Sequence, residues 1–247
     1  MVGNIAQILL TVAATLITLT VHEYAHGYTA YRLGDPTAKN LGRLTLNPIP
    51  HIDPLGALCM IFFRFGWARP VPINPRYFKN PKRDFALTAL AGPLSNIVMA
   101  FISAGIYLAV FASLRDVAFT NNFLYQLASN TLSFIFIFHS VNVGLGIFNL
   151  IPVPPLDGSR LLNVFLPPKA YFGIMRHERT IYFVLLGWLL LGGYASSFLL
   201  SIPAIASNAA LSFIAELFSL SGMLAKLMNL ISNLMLSFWQ LIPALKL

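Results

Sequence analysis

The stretch that decides the fold of this protein runs from Ile5 to His26 and reads IAQILLTVAATLITLTVHEYAH. Its first part, Ile5–Val21, carries no charge. A helix needs roughly 20 mostly apolar residues to cross a bilayer, so the stretch predicts a transmembrane helix over residues 4–32. No Lys or Arg precedes Arg32, whereas a secretory signal peptide would begin with basic residues. We therefore expect a retained membrane helix that ends in the polar group at residues 22–26.

The composition agrees with a membrane protein. Of the 247 residues, 57% are hydrophobic and 10% are charged, against about 45–50% and about 25% in soluble domains. A water-soluble globule would lack polar side chains for its surface, and a disordered chain would need low hydrophobicity. The single cysteine, Cys59, excludes an intramolecular disulfide. The composition therefore predicts an all-α polytopic membrane protein.

Three further apolar stretches predict crossings, at about Phe85–Leu114, Phe123–Leu150 and Thr180–Ile202. The second crossing contains Pro93, which is tolerated at depth only where neighbouring protein satisfies the freed backbone groups. We thus expect about four transmembrane helices. His139, within the third, is expected to be a buried histidine bonded to a carbonyl, with metal binding as the alternative.

Between the first two crossings, Leu55–Pro75 has a different pattern. Its apolar part, Leu55–Phe63, is too short to span a bilayer. The part that follows, Trp67–Pro75, has prolines at 70, 72 and 75, which prevent a helix and restrict any strand to a sheet edge. We predict a short membrane-associated extended or β region that forms a re-entrant or interfacial loop or hairpin.

The chain is expected to divide into a core, residues 1–202, and a C-terminal region, residues 203–247. In that region Phe213, Leu217, Leu220 and Leu224 recur at roughly helical spacing among polar residues. This pattern predicts amphipathic helices that lie on the membrane or pack on the bundle. A fifth crossing over residues 220–242 is the alternative.

The distribution of basic residues predicts the orientation. Of the sixteen Lys and Arg, nine lie between Arg32 and Arg83 and four between Arg160 and Arg179. By the positive-inside tendency both segments are cytoplasmic. This topology explains the net charge of +8, and no recognition module predicts binding to nucleic acid.

The group His22-Glu23-Tyr24-Ala25-His26 matches the pattern H-E-x-x-H. Positions i and i+4 share one face of a helix, so the two imidazoles can bind one zinc ion while Glu23 acts as general base. Ionisable residues at the end of a membrane helix are costly and usually functional. A merely solvated polar helix end is the alternative.

A catalytic zinc needs a third protein ligand, and Asp157 is the strongest candidate. It follows the third predicted helix, after the proline-rich stretch Ile151–Pro155. By topology it lies on the same cytoplasmic side as His22 and His26. The alternative is an ordinary turn aspartate before a glycine.

Together, the H-E-x-x-H group and the segment Asn149–Gly158 resemble the site-2 protease family of intramembrane zinc metalloproteases. Other matching blocks are Gly42–Pro48, His51–Gly56 and Ala91–Asn96. The similarity covers about residues 4–166 and is to the minimal branch, without PDZ or CBS domains.

The resemblance implies a role for each matching residue. It implies one Zn²⁺ per chain held by His22, His26 and Asp157, with Glu23 as general base and Asn149 assisting at the substrate or the oxyanion. It also implies that the edge of the extended segment pairs with substrate. The candidate substrate-binding residues are Trp67, Arg69, Val71, Ile73 and Asn96, the last of which could instead form a helix–helix hydrogen bond.

The family cleaves transmembrane segments of other proteins, so the expected partners are membrane-protein substrates and the lipid bilayer. The oligomeric state stays open. The expected location is a prokaryotic inner membrane, with the active site toward the cytoplasm. Two alternatives are a metal-ion transporter, which would place ionisable residues at several depths, and a catalytically inactive scaffold that binds membrane helices. A histidine-box di-metal oxygenase is disfavoured because such a site needs many histidines, whereas the chain has five, of which two are paired.

Overall fold

The structure is a computed structural model that describes residues 2–63, 67–217 and 219–245. Within these ranges the regular elements are helices, and one isolated antiparallel bridge joins Ile52 to Ala68. The α-helices are α1 (Val2–Arg32), α2 (Thr37–Asn40), α3 (Pro54–Phe63), α4 (Pro81–Leu114), α5 (Asn122–Leu150), α6 (Gly158–Phe165), α7 (Pro168–Met175), α8 (Glu178–Leu200), α9 (Pro203–Ala206), α10 (Ala209–Leu217) and α11 (Leu220–Trp239). The prediction of an all-helical membrane protein is confirmed for this part of the chain.

Three of the described helices, α1, α4 and α5, are long and apolar enough to cross a membrane. At about 1.5 Å per residue they measure roughly 44–51 Å, which exceeds a hydrocarbon core of about 30 Å. Up to five crossings result if each of two bent helix pairs forms one span. The fourth predicted crossing, α8, is one of these pairs and bends by 43° between its halves.

Local sequence explains where the two central spans begin. The side chain of Asn80 accepts from the N–H of Arg83 at the start of α4, and Pro81 occupies the first helical position. Asn121 accepts from the N–H of Phe123 at 2.8 Å at the start of α5. Such caps satisfy N–H groups that have no partner inside the helix.

The segment between α1 and α4, predicted as a re-entrant or interfacial loop or hairpin, is helical in its first part. Residues 54–63 form the helix α3, and the described residues 67–74 form no strand. An apolar run without an internal proline can close helical hydrogen bonds, whereas Pro70 and Pro72 lack the N–H groups that a strand ladder requires. One end of the segment is nevertheless fixed, because the N–H of Arg69 donates to the carbonyl of His51 at 2.8 Å. Arg64, beside this segment, lies outside the described residues.

The C-terminal helix α11 packs directly on the bundle. The indole N–H of Trp239 donates to the carbonyl of Phe101 at 2.8 Å. Ser232 Oγ lies 3.0 Å from His139 Nε2, while His139 Nδ1 lies 2.9 Å from the carbonyl of Ala100. The structure thus has the predicted contact of His139 with a carbonyl, and it fixes α11 against both α4 and α5.

Small residues allow this close packing. The buried core where α4, α5 and α11 meet consists of Ala100, Ala104, Val143, Ile147 and Met235. Gly105 lies under the indole, and a Cβ added there would come within 2.7 Å of the ring of Trp239. Close approach of helix backbones through small residues is the usual way in which membrane helices associate.

Candidate active site

The site is centred on three side chains from two distant parts of the chain. His22 and His26 lie one turn apart on α1, and Asp157 lies in the loop that follows α5. The His22 Nε2 atom is 3.0 Å from His26 Nε2 and 3.0 Å from Asp157 Oδ2. The His26 Nε2 atom is 3.2 Å from the same carboxylate oxygen. The structure therefore brings together the three metal ligands proposed from the sequence.

These three donor atoms fit a zinc ion. Bonds of about 2.0–2.1 Å in a tetrahedral arrangement place ligand atoms about 3.3 Å apart, close to the separations of 3.0–3.2 Å found here. Both imidazoles are buried, at 4% and 6% exposure, and Asp157 is half-buried. Two neutral imidazoles and a carboxylate are a ligand set typical of catalytic zinc, which leaves a fourth position for reactants.

The charge state of Asp157 also suits a ligand. Burial by itself would raise the pKa of this carboxyl, but its contacts with the imidazoles of His22 and His26 lower it well below its usual range. A carboxylate must be ionised to bind a metal ion. Asp157 is therefore in the form that the site requires.

The orientation of His26 is fixed by a backbone group of α4. His26 Nδ1 lies 2.7 Å from the carbonyl oxygen of Thr88. Since a carbonyl can only accept, the proton of the neutral ring resides on Nδ1. The lone pair of Nε2 is then free for a metal ion, as is usual for metal-binding histidines.

Gly92 of α4 makes room for both rings. A Cβ added there would lie 2.4 Å from His26 Nε2 and 2.7 Å from His22 Cε1. No side chain larger than hydrogen is therefore compatible with the observed ring positions. The sequence shows Gly92 only as part of a Gly-Pro step, and nothing in that pattern indicated that it forms a wall of the metal site.

Asn96 lies one turn further along α4 than Gly92 and contacts His22. Its side chain is fully buried, and its Nδ2 atom is placed 3.0 Å from His22 Nδ1. The Oδ1 atom of the same amide is buried without a hydrogen-bond partner. The residue therefore lies behind the metal ligands, at the side of His22 that faces away from Asp157.

The carboxylate of Glu23 is held by the segment that follows α3. Glu23 is buried, at 9% exposure, and its Oε2 atom accepts from the N–H of Val71 at 2.8 Å. The segment is anchored a few residues later, where the N–H of Asn74 donates to Asp35 Oδ2 at 2.6 Å. The sequence did not indicate this bond, because Val71 was considered only for contact with substrate.

The remaining candidate residues differ in their contacts and in their exposure. Asn149 donates its side-chain N–H to the carbonyl of Leu145 at 3.1 Å, within α5. Trp67 and Arg69 are exposed, Ile73 is half-buried, and the side chain of Val71 is buried against α1. Among the candidate substrate-binding residues, Val71 donates its backbone N–H to Glu23, and the amide of Asn96 contacts His22 Nδ1.

The loop that carries Asp157 is fixed from both sides. A Cβ on Gly158 would lie 2.4 Å from the carbonyl oxygen of Leu150, so the loop closes tightly onto the end of α5. On its other side, Leu156 packs in a buried cluster with Leu185 of α8 and Leu220 of α11. The position of Asp157 therefore depends on helices that lie outside the two sequence motifs.

Comparison with known proteins agrees with this geometry. Residues 10–192 match the model of Peptidase family M50. The chain is 43% identical over 157 residues to "Putative zinc metalloprotease YwhC" of Bacillus subtilis. This match covers 64% of the present chain and 69% of the Bacillus protein. It is 29% identical over 168 residues to "Putative zinc metalloprotease Rip2" of Mycolicibacterium smegmatis, and 27% identical over 168 residues to the protein of that name from Mycobacterium tuberculosis.

The match to the Mycolicibacterium smegmatis protein covers 66% of this chain, and the match to the Mycobacterium tuberculosis protein covers 65%. Each match covers 59% of the length of the relative. No solved structure matches this chain. The family match extends over most of the chain and includes the H-E-x-x-H group and Asp157. The chain therefore belongs to Peptidase family M50, the site-2 protease family of membrane zinc metalloproteases.

Proposed function

We propose that this protein hydrolyses peptide bonds within or near transmembrane segments of other membrane proteins, using the site formed by α1, α4 and the loop after α5. The observation that carries the proposal is the mutual spacing of 3.0–3.2 Å among the donor atoms of His22, His26 and Asp157. A buried carboxylate, Glu23, directly follows the first of them in the chain.

The roles of the residues follow from their chemistry. His22, His26 and Asp157 would hold zinc, which when bound lowers the pKa of water toward about 7 and polarises a carbonyl group. Glu23 then takes the proton of the attacking water and passes it to the leaving amine. The N–H of Val71 occupies Oε2 of Glu23, which orients the carboxylate and leaves Oε1 to carry that proton.

Asn149 is proposed to assist at the substrate carbonyl. It lies at the last turn of α5, two residues before the loop that leads to Asp157. A side-chain N–H near the reacting carbonyl stabilises the negative charge that develops on its oxygen. In this state the amide donates to Leu145, so it must turn away from α5 to serve the substrate.

The segment Trp67–Pro75 is proposed to bind the unwound substrate, with contacts from Trp67, Arg69, Val71 and Ile73. A helix must open before it is cut, and each unpaired backbone group in lipid costs several kcal/mol, which pairing with an extended segment offsets. Three N–H groups of this segment, at residues 69, 71 and 74, are already used within the protein, and its prolines have none. The carbonyl oxygens of Arg69 and Pro70 accept from Arg43 Nη2, so the carbonyl oxygens of residues 71–73 are proposed to accept from substrate N–H groups.

The proposed topology has four crossings, α1, α4, α5 and α8, with the metal site toward the cytoplasm. The nine basic residues between Arg32 and Arg83 support this orientation. In this arrangement residues 1–202 form the protease core and residues 55–75 a re-entrant region, while residues 203–247 pack on that core. A prokaryotic inner membrane is the proposed location.

The decisive experiment replaces the proposed base. Purified Glu23→Gln and wild-type protein are reconstituted in vesicles with single-span membrane segments fused to a reporter, and cleavage and zinc content are measured. We expect zinc to be retained and cleavage to fall by about 10²–10⁴-fold, the range typical of a lost general base. The matched control is Glu216→Gln, because Glu216 lies in α10 and pairs with Lys226.

Cleavage by Glu23→Gln at the wild-type rate would contradict the assignment of the base. A chelator should abolish wild-type cleavage. Zinc binding without cleavage of any segment would instead favour the metal-ion transporter or the inactive scaffold.

A further inference from the structure

We propose that Asn96 sets the tautomer of His22 for metal binding, by presenting its side-chain oxygen to the N–H of His22 Nδ1. This inference rests on the metal site of the proposed function and is independent of peptide cleavage. Asn96 is thereby a positioning residue that acts through His22.

The two ring nitrogens of His22 have different surroundings. Nε2 faces the cluster, at 3.0 Å from both His26 Nε2 and Asp157 Oδ2. Nδ1 faces α4, at 3.0 Å from the amide of Asn96. A neutral imidazole has one N–H and one lone pair, so Nε2 can bind a metal ion only when the proton is on Nδ1.

That proton requires an acceptor, and among the described residues the amide of Asn96 lies at hydrogen-bonding distance from Nδ1. Asn96 is fully buried, and a buried polar group without a hydrogen-bond partner is destabilising. With Nδ2 toward His22, the Oδ1 atom of Asn96 has no donor. A half-turn of the amide exchanges the two atoms, so that Oδ1 accepts from His22 Nδ1–H and Nε2 keeps its lone pair.

The other histidine supplies the precedent within the same site. Thr88, two turns before Asn96 on α4, receives the N–H of His26 Nδ1 on its backbone carbonyl at 2.7 Å. One helix thus fixes both rings, His26 through a main-chain oxygen and His22 through a side-chain oxygen. Partners of this kind fix ring orientation and raise ligand basicity, and their loss typically weakens metal binding by 10–100-fold.

The alternative is that Asn96 only joins two helices, and the chain contains a residue that does this. Asn142 of α5 is also fully buried and also has an unpaired Oδ1, but it donates to Thr18 Oγ1 of α1 at 2.9 Å and contacts no metal ligand by hydrogen bond. It is therefore a matched control for Asn96.

The test measures zinc affinity of the full chain in detergent, by competition with a chromophoric chelator. Asn96→Leu keeps the size of the side chain and removes the acceptor, and we expect zinc affinity to fall by about 10–100-fold. Asn96→Asp keeps an acceptor oxygen and loses the donor, and we expect it to retain the wild-type affinity. Asn142→Leu is expected to lower the unfolding temperature without changing zinc affinity.

The inference is overturned if Asn96→Leu binds zinc as tightly as the wild type, or if Asn96→Asp binds it as weakly as Asn96→Leu. Should Asn96→Leu fail to fold, Asn96→Asp decides alone, since a purely structural role would not predict that zinc binding survives there. Absence of zinc binding in the wild type would overturn both this inference and the proposed function. If Asn96→Leu alone binds zinc more weakly, but the wild type shows no proteolysis, the result would support this inference and count against the protease function alone.

Discussion

The two halves of α4 have different neighbours and different chemistry. From Thr88 to Asn96 the helix faces α1, and its groups contact the imidazoles of His22 and His26. From Ala100 onward it faces α5 and α11, and its small side chains form an apolar core. The comparison teaches that one membrane helix fixes a polar site at one end and holds the bundle together at the other. Substitutions in the two halves should therefore have separable effects.

The largest effect is expected from Gly92→Ala, in the half that faces the metal ligands. The added Cβ would lie 2.4 Å from His26 Nε2, so one or both rings must move. Because zinc requires its ligands within a few tenths of an ångström, we expect zinc affinity to fall by more than about 100-fold, beyond the effect of losing one outer partner. Chelator competition on the purified protein measures this change.

Gly187→Ala is the control for this change. A Cβ on Gly187 in α8 meets nothing within 4 Å, so the variant should bind zinc normally. Equal zinc affinity in Gly92→Ala and the wild type would mean that this wall does not constrain the ligands.

A smaller effect is expected from Val71→Pro, which removes the N–H that holds Glu23. A hydrogen bond to a charged group contributes about 1.5–3 kcal/mol, which corresponds to roughly 10–100-fold in kcat. The flanking residues 70 and 72 are already prolines, and the Cδ atom of the new ring takes the place of the amide hydrogen, so the carboxylate of Glu23 must also shift. We expect kcat to fall while zinc content is unchanged.

Val71→Ala separates the N–H from the side chain. It keeps the donor and removes only apolar contact, so kcat should fall less than in Val71→Pro. A kcat as low in Val71→Ala as in Val71→Pro would show that the side chain, and not the N–H, supports Glu23.

The smallest effect on function is expected at the other end of α4. Trp239→Phe removes the hydrogen bond to Phe101 and part of a packed ring. We expect a loss of about 1–3 kcal/mol of stability, seen as a lower unfolding temperature in detergent. The metal site lies about 20 Å away along α4, given the helical rise between residues 92 and 105, so zinc affinity should not change. A weakened zinc affinity in this variant would show that the two halves are coupled.

Much of the architecture follows from the sequence. Apolar runs predict the spans α1, α4 and α5 with starts one to four residues from the observed ones, because a membrane crossing requires a long, mostly apolar stretch. The H-E-x-x-H spacing predicts that His22 and His26 share a face, because helix geometry alone fixes that relation. The pairing with Asp157 was proposed from the predicted topology, which places it on the same side as the two histidines, and from the resemblance to a family; no periodicity contains it.

Other features were not predictable from local patterns. Residues 55–75 were predicted as a re-entrant or interfacial loop or hairpin, and the helix over residues 54–63 was not specified, because a short apolar run does not decide between helix and extended structure without its neighbours. The contact of Val71 with Glu23 joins residues 48 positions apart. Which backbone N–H reaches a buried carboxylate depends on how the segment lies across α1, and the sequence does not encode that in any local signal.

The sequence by itself determined that the chain is a membrane protein, approximately where its long helices lie, and which residue types can bind zinc. These properties depend on hydrophobicity and helical spacing, which act locally along the chain. Only the tertiary structure decided that Thr88, Gly92 and Asn96 of α4 form the wall behind the ligands. That role arises from the packing of α4 against α1. Gly92 leaves room for both imidazoles because it has no Cβ, while the carbonyl of Thr88 contacts His26 and the amide of Asn96 contacts His22.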